Sequence, residues 1–243
     1  MKLEVSERLE DLQCQGLKIV QNKNLYTFTS DSVILANFID CKPKDVLVEI
    51  GAGSGVISIL LQAKKNLKKI YAFEIQESMQ QLCEKNVLLN CLQEKIEIVK
   101  DDAKNHAKHV KNASIDVVFS NPPYFRETNF KQNEVKKIAK EETKLSCAEL
   151  VTCAKKMLKD GGSFYCCYSA ERSCELISTC QQNGLAVKEM FFTENGKGEV
   201  KLVVIKAVKG GKNGVKVFPN LVTNEEDGKY LESLHTKYVA TKE

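Results

Sequence analysis

Val46-Leu47-Val48-Glu49-Ile50 runs straight into Gly51-Ala52-Gly53-Ser54-Gly55, and residues 56–63 then repeat apolar side chains at helical spacing. A branched apolar run, a glycine loop and a helix, in that order, read as the opening unit of a parallel α/β sheet. A strand buried on both faces is hydrophobic at nearly every position. The glycines permit a tight turn and close approach of backbone to a ligand, and the helix start offers unpaired N–H groups there. The glycines stand at alternate positions with an acid, Glu49, before them, which weakens a dinucleotide reading.

Further strands are expected at 70–73, 96–99, 115–120, 164–168, 187–192 and 200–208, with helices at 77–90, from Ser146 onward and at 172–183. Gly161-Gly162 is expected to end the helix that begins at Ser146, where Ser146 and Glu149 fit a capping box. Strands alternate with helices until the last two, which read as an antiparallel hairpin. In such sheets ligands bind outside the carboxyl ends of the strands. Glu74 ends the second strand, twenty-three residues beyond Gly51, where an acid accepts the hydroxyls of a ribose and so points to an adenosine-type ligand. After the third strand, Asp102 and Ala103 could hold an adenine edge, or Asp102 could cap a helix over 104–110. His106 and His109 lack a third ligand at sensible spacing and read as a solvated helix face.

The fourth strand delivers Asn121-Pro122-Pro123-Tyr124 to the same rim. The Asn121 side-chain carbonyl and the Pro122 backbone carbonyl are acceptors for the two N–H groups of a planar amine. The prolines fix φ, and Tyr124 offers a ring for stacking. A strand-end turn would use the same residues, but four placements on one rim (glycine loop, Glu74, Asp102, Asn121) favour a site.

Residues 125–145 form an insertion in which Phe125, Arg126, Phe130, Lys137 and Lys140 suit contact with unstacked bases and phosphates. A solvated, partly helical lid is the alternative, since four glutamates offset much of the charge. The net charge of +4 permits a phosphate-rich partner without requiring one. At the N-terminus a small β-hairpin is expected from 17–20 and 25–28, followed by a helix over 33–39. Ser30 or Asp31 would cap that helix, unless Asp31 lies over the cofactor. The ten cysteines show no C-x-x-C pair and read as small buried apolar side chains. With no apolar leader and no run near ~20 apolar residues, the chain is expected to be soluble, intracellular and off the membrane. The boundaries expected are 1–40 for the hairpin and helix, 41–208 for one α/β domain and 209–243 for a lysine-rich extension.

Taken together, Thr29 to Leu35, Glu49 to Gly55, Asn121 to Tyr124, Ala139-Lys140-Glu141 and Asp227-Gly228-Lys229-Tyr230 resemble the class I S-adenosylmethionine-dependent methyltransferases, specifically the bacterial tRNA-Val adenine-37 N6-methyltransferase family. The resemblance implies a Rossmann-like seven-stranded sheet in the order 3-2-1-4-5-7-6 with helices on both faces. It also implies a tRNA substrate, a cytoplasmic monomer, S-adenosylmethionine as cofactor with S-adenosylhomocysteine as product, and no metal. By position, Glu49, Gly51, Gly53 and Gly55 would border the methionine end and Asp31 would cover it. Glu74 and Ile75 would hold the ribose side, and Asp102 and Ala103 the adenine. Asn121, Pro122 and Tyr124 would be catalytic, with Asn121 also beside the cofactor. Pro123, Phe125, Arg126, Lys137 and Lys140 would meet RNA. Lys140 stands where the family more often has arginine, and an ammonium cannot copy a bidentate guanidinium. Rival readings are a methyltransferase of rRNA or DNA adenine, guanine N2 or release-factor glutamine, and a non-catalytic RNA-binding module on the same fold.

Overall fold

The structure is a computed structural model that describes residues 3–123 and 145–223. Its elements in chain order are β1 (Glu7–Asp11), β2 (Lys18–Asn22), α1 (Ser30–Phe38), β3 (Val46–Ile50), α2 (Val56–Lys65), β4 (Lys69–Phe73), α3 (Glu77–Leu89) and β5 (Ile96–Val99). A 3-10 helix (Ala103–Lys108) leads to β6 (Ile115–Ser120). Then come α4 (Cys147–Met157), β7 (Leu158–Ser169), α5 (Ser173–Gln182), β8 (Leu185–Glu194), β9 (Val200–Lys209), β10 (Lys216–Val217) and β11 (Leu221–Val222).

The main sheet runs β10-β8-β9-β7-β6-β3-β4-β5, with β11 also on β8. Counted from β3, the seven long strands follow the order 3-2-1-4-5-7-6, parallel except for β9, which is antiparallel to both β7 and β8. This is the Rossmann-like α/β fold of class I methyltransferases. The two short strands β10 and β11 extend the edge beyond the seven expected. Leu47, Val48, Val118, Phe119, Phe164, Tyr165, Cys166 and Cys167 have no exposed surface, so the central strands are covered on both faces. Phe38 packs edge-on to Tyr165 and Phe191 and joins α1 to the sheet.

Several local expectations need correction. The N-terminal hairpin pairs β2 with β1, with Leu9 opposite Val20, and not with residues 25–28. The chain turns back earlier because Gln13, Gln15 and Gly16 all take positive φ, closing a loop in which the Leu12 amide bonds the Leu17 carbonyl at 2.9 Å. Leu25 instead packs beside Val20, Met79 and Leu82. The capping box at Ser146 and Glu149 is present, but α4 ends at Met157, before the glycines. Gly161 and Gly162 lie inside β7, where pairing with β6 jumps from Ile115–Leu158 to Val117–Ser163. The glycines absorb the extra residues of that bulge, Gly161 with φ of 76°. Of the cysteines, Cys91 and Cys174 are exposed and Cys14 is half-buried; the other seven are buried as expected.

Candidate active site

The glycine loop connects β3 to α2 at the carboxyl end of the sheet. Gly51, Gly53 and Gly55 all have left-handed backbone, with φ of 74°, 56° and 81°. That explains their alternation, since each second residue reverses the chain where a side chain would be strained. The amides of Gly51 and Ala52 both bond the Phe73 carbonyl at 2.9 Å, and the Gly55 amide bonds Ala52 at 2.8 Å. At Gly55 an added Cβ would lie 2.6 Å from Cys83 Sγ, so the loop rests directly on α3. At Gly51 it would meet no heavy atom within 4 Å, which leaves that side open as a cradle.

Glu74, one residue past β4, is buried and accepts from the Gly53 amide at 2.8 Å and the Gln76 amide at 2.9 Å. Burial pushes its carboxyl above the ordinary range, and the backbone N–H groups of Gln76, Gly53 and Ile75 oppose that shift. One carboxylate thus joins the end of β4 to the glycine loop and retains acceptor capacity for hydroxyls. Ile75 beside it is exposed. Glu49 is placed differently. It is 1% exposed and takes the Ser58 hydroxyl of α2 as its hydrogen-bond partner. Desolvation pushes its pKa up to about 8, with the nearby Glu74 adding to the rise, so Glu49 is largely a neutral acid beneath the loop at pH 7.

Asp102 is the N-cap of the 3-10 helix, its carboxylate accepting from the Lys104 amide at 2.9 Å, and Ala103 behind it is buried. The two histidines differ: His109 is exposed, as expected of a solvated helix face, and His106 is not. His106 is buried between the Ala103 carbonyl and the Asn112 side chain, each at 2.9 Å. His109 lies edge-on to Phe73 and 3.0 Å from Asp101. Asp101 also accepts from Asn105, and that bond, with His109, draws its carboxyl down to about 2. Among the described residues no group of three or more His, Cys, Asp or Glu side chains is placed to hold a metal. Also among them, no helix is long and apolar enough to cross a membrane.

Asn121 follows β6 directly, and Ser120 pins that point by donating to the Ile50 carbonyl at 2.7 Å. The end of β6 is therefore tied to the last residue before the glycine loop. Asn121 Nδ2 donates to Ser32 Oγ of α1 at 3.2 Å, which orients the amide. Its Oδ1 is buried and, among the described residues, has no hydrogen-bond partner. A buried carbonyl oxygen left unpaired costs roughly 1–3 kcal/mol, so it marks an acceptor held for something else. Pro122 is half-buried and Pro123 exposed. Asp31 sits in the first turn of α1 and accepts from Thr29 Oγ1 at 2.9 Å. The N-cap is Thr29, which makes no side-chain cap bond, so neither Ser30 nor Asp31 caps the helix. Tyr124, Phe125, Arg126, Lys137, Lys140 and the stretch 227–230 lie outside the described residues.

Residues 26–188 match the family model described as the methyltransferase small domain. The chain belongs to the methyltransferase small domain family. Among curated relatives, the tRNA1(Val) (adenine(37)-N6)-methyltransferase of Dyadobacter fermentans is 24% identical over 201 residues, 82% of each chain. Its namesake from Actinobacillus pleuropneumoniae is 22% identical over 227 residues, 92% of this chain and 93% of that one. A Methanocaldococcus jannaschii protein, provisionally named a protein N5-glutamine methyltransferase, is 35% identical over 114 residues, 46% of this chain and 54% of that one. Among solved structures, a predicted O-methyltransferase from Agrobacterium tumefaciens aligns with a TM-score of 0.68 at 14% identity, over 86% of this chain and 96% of that one. M. jannaschii TYW2, solved with AdoMet, aligns at 0.60 and 18% identity over 85% and 87%. As a small-domain methyltransferase, the chain places its glycine loop, Glu74, Asp102 and Asn121 on one rim. The sequence does not single out Ser32, Asn86 or Ser120, whose partners are distant in the chain, or Ser58, whose partner Glu49 lies nine residues away across the glycine loop. Only Ser120, adjoining the motif, had a positional signal.

Proposed function

We propose that this methyltransferase moves a methyl group from S-adenosylmethionine to the exocyclic N6 of an adenine in tRNA, adenine 37 of tRNA-Val being the reading its full-length relatives support. The observation that carries it is the buried Asn121 Oδ1, without a partner among the described residues, on an amide whose Nδ2 is anchored to Ser32 at the rim beside the glycine loop. The residues fit the cofactor. The open Gly51 cradle gives room for its methionine end and Glu74 has acceptor capacity for the ribose hydroxyls. Ile75 is an exposed apolar surface next to that acid, and Asp102 and Ala103 border the adenine side.

When bound, the cofactor supplies an electrophilic methyl on a sulfonium. Everything else falls to the chain. Adenine's amine is a poor nucleophile because its lone pair is delocalised into the ring. Asn121 Oδ1 and the Pro122 carbonyl accept its two N–H bonds, draw the nitrogen toward tetrahedral geometry and aim the lone pair at the methyl carbon. Tyr124 provides the stacking surface, and Arg126, Lys137 and Lys140 the phosphate contacts. No side chain need act as a general base, because the methylated nitrogen is acidic enough to lose its proton to water. The protein acts in the cytoplasm as a monomer.

Protein glutamine N5 is the second reading, favoured by the higher identity to the archaeal relative over its shorter match. A side-chain amide presents the same two N–H groups to Asn121. The purified protein, supplied with S-adenosylmethionine and either unmodified tRNA or a release factor, decides between them. Nucleoside mass spectrometry is expected to find N6-methyladenosine in the tRNA; label confined to glutamine in the protein substrate overturns the reading.

A further inference from the structure

Asn86 is fully buried on α3, and its side-chain amide is spent entirely on backbone groups of two other segments. Its Oδ1 accepts from the Val20 amide at 2.7 Å, and its Nδ2 donates to the Val20 carbonyl at 3.1 Å and to the Ser54 carbonyl at 3.0 Å. Val20 belongs to β2 of the N-terminal hairpin, and Ser54 is the residue between the last two glycines of the loop. The Ser54–Gly55 peptide is thereby held at both ends, since the Gly55 amide donates to Ala52 at 2.8 Å. Asn90, one turn later, provides an internal contrast. It pairs with Lys18 in the same way, accepting from its amide at 3.0 Å and donating to its carbonyl at 2.7 Å. Its other bond goes to the Asn86 carbonyl at 2.8 Å and not to the loop.

A second contact runs in parallel. Val20 clusters with Met79 and Leu82, and the Met79 methyl lies 3.6 Å from where a Cβ on Gly53 would stand. The hairpin, α3 and the glycine loop therefore meet through one saturated amide and one packed methionine.

We propose that the N-terminal hairpin is a clamp on the glycine loop, with Asn86 as the positioning residue that transmits its hold to the cofactor's methionine end. The proposal rests on the methyl-transfer reading. Asn86 touches no reacting atom; it fixes the peptide plane that the cofactor meets, so it governs affinity and not the chemical step. Linkage makes the effect reciprocal: a ligand that binds better to the clamped loop must also tighten the clamp.

The experiment measures S-adenosylhomocysteine binding by calorimetry, together with thermal melting, for the wild type, Asn86→Ala and Asn90→Ala. Asn86→Ala is expected to weaken binding about tenfold, the worth of one buried hydrogen bond to the loop, with kcat at saturating cofactor unchanged. Asn90→Ala is expected to lower Tm while binding stays at the wild-type value. Equal loss of affinity in both variants, or none in a folded Asn86→Ala, overturns the proposal. Amide hydrogen exchange in the wild type covers the case in which Asn86→Ala does not fold. Saturating S-adenosylhomocysteine is expected to slow exchange at Val20, and unchanged exchange there overturns the clamp. A wild-type protein that takes up no S-adenosylhomocysteine overturns the methyl-transfer reading itself and the clamp with it.

Discussion

The two halves of the rim handle hydrogen bonds in opposite ways. On the glycine-loop side, polar groups are tied down by the protein itself: Glu74 holds two backbone amides, Asn86 is saturated and Glu49 has Ser58. On the Asn121 side, one amide nitrogen is anchored and the oxygen is left without a partner among the described residues. The first half is held in shape by bonds that the protein supplies itself. The second keeps one acceptor in reserve, at a cost to stability that binding of an amine recovers. The difference separates holding a cofactor from acting on a substrate, and mutations on the two sides should split accordingly.

The sharpest break is Asn121→Ala. Removing the reserved acceptor should lower methyl transfer about a thousandfold, the scale of losing a preorganised polar group at the reacting atom. S-adenosylhomocysteine affinity, measured on the same preparation, should remain within about twofold because the opposite half is untouched. Next is the pH dependence set by Glu49. Its folded pKa, about 8, stands above the ordinary 4.5, so the folded state keeps a proton that the unfolded chain has released. The stability this contributes is fully present below about pH 4.5 and is lost as pH rises toward 8, on the order of 5 kcal/mol in all. Glu49→Gln keeps an acceptor for Ser58 and should flatten melting temperature against pH between 5 and 8. A wild-type curve already flat across that interval would rule out a neutral Glu49.

Glu74→Ala sharpens the contrast from the other side. It removes the acceptor for the Gly53 amide of the loop, for the Gln76 amide and for the ribose, and should weaken cofactor binding about a hundredfold while single-turnover transfer at saturation changes little. The smallest effects separate shape from space within the loop. Gly55→Ala meets both positive φ and Cys83 Sγ and should cost about 2–3 kcal/mol in chemical denaturation; Gly51→Ala meets only the φ penalty and should cost about 1. Equal costs would mean that the contact with α3 is slack.

Most of the fold was legible because the central strands are buried on both faces and announce themselves as apolar runs, with glycines and caps between them. The glycine loop followed from that pattern, and the strand order from resemblance alone. What stayed hidden is which partner a buried polar side chain takes, whether that partner is far away in sequence or only across the glycine loop. Nothing local marks Asn86 as reaching residues 66 and 32 positions distant, or Glu49 as turning inward to Ser58. The hairpin was misread because alternation in residues 25–28 looks like a strand whether or not a partner edge exists. The glycine pair at 161–162 was misread because a helix stop and a bulge ask for the same residue.

The most direct test replaces the chromosomal copy with the Asn121→Ala form and compares tRNA nucleosides by mass spectrometry with those from unmodified and deletion strains. The expectation is that N6-methyladenosine disappears from tRNA as completely as in the deletion, while the variant protein still binds S-adenosylhomocysteine. N6-methyladenosine retained at the unmodified level in the Asn121→Ala strain would contradict it.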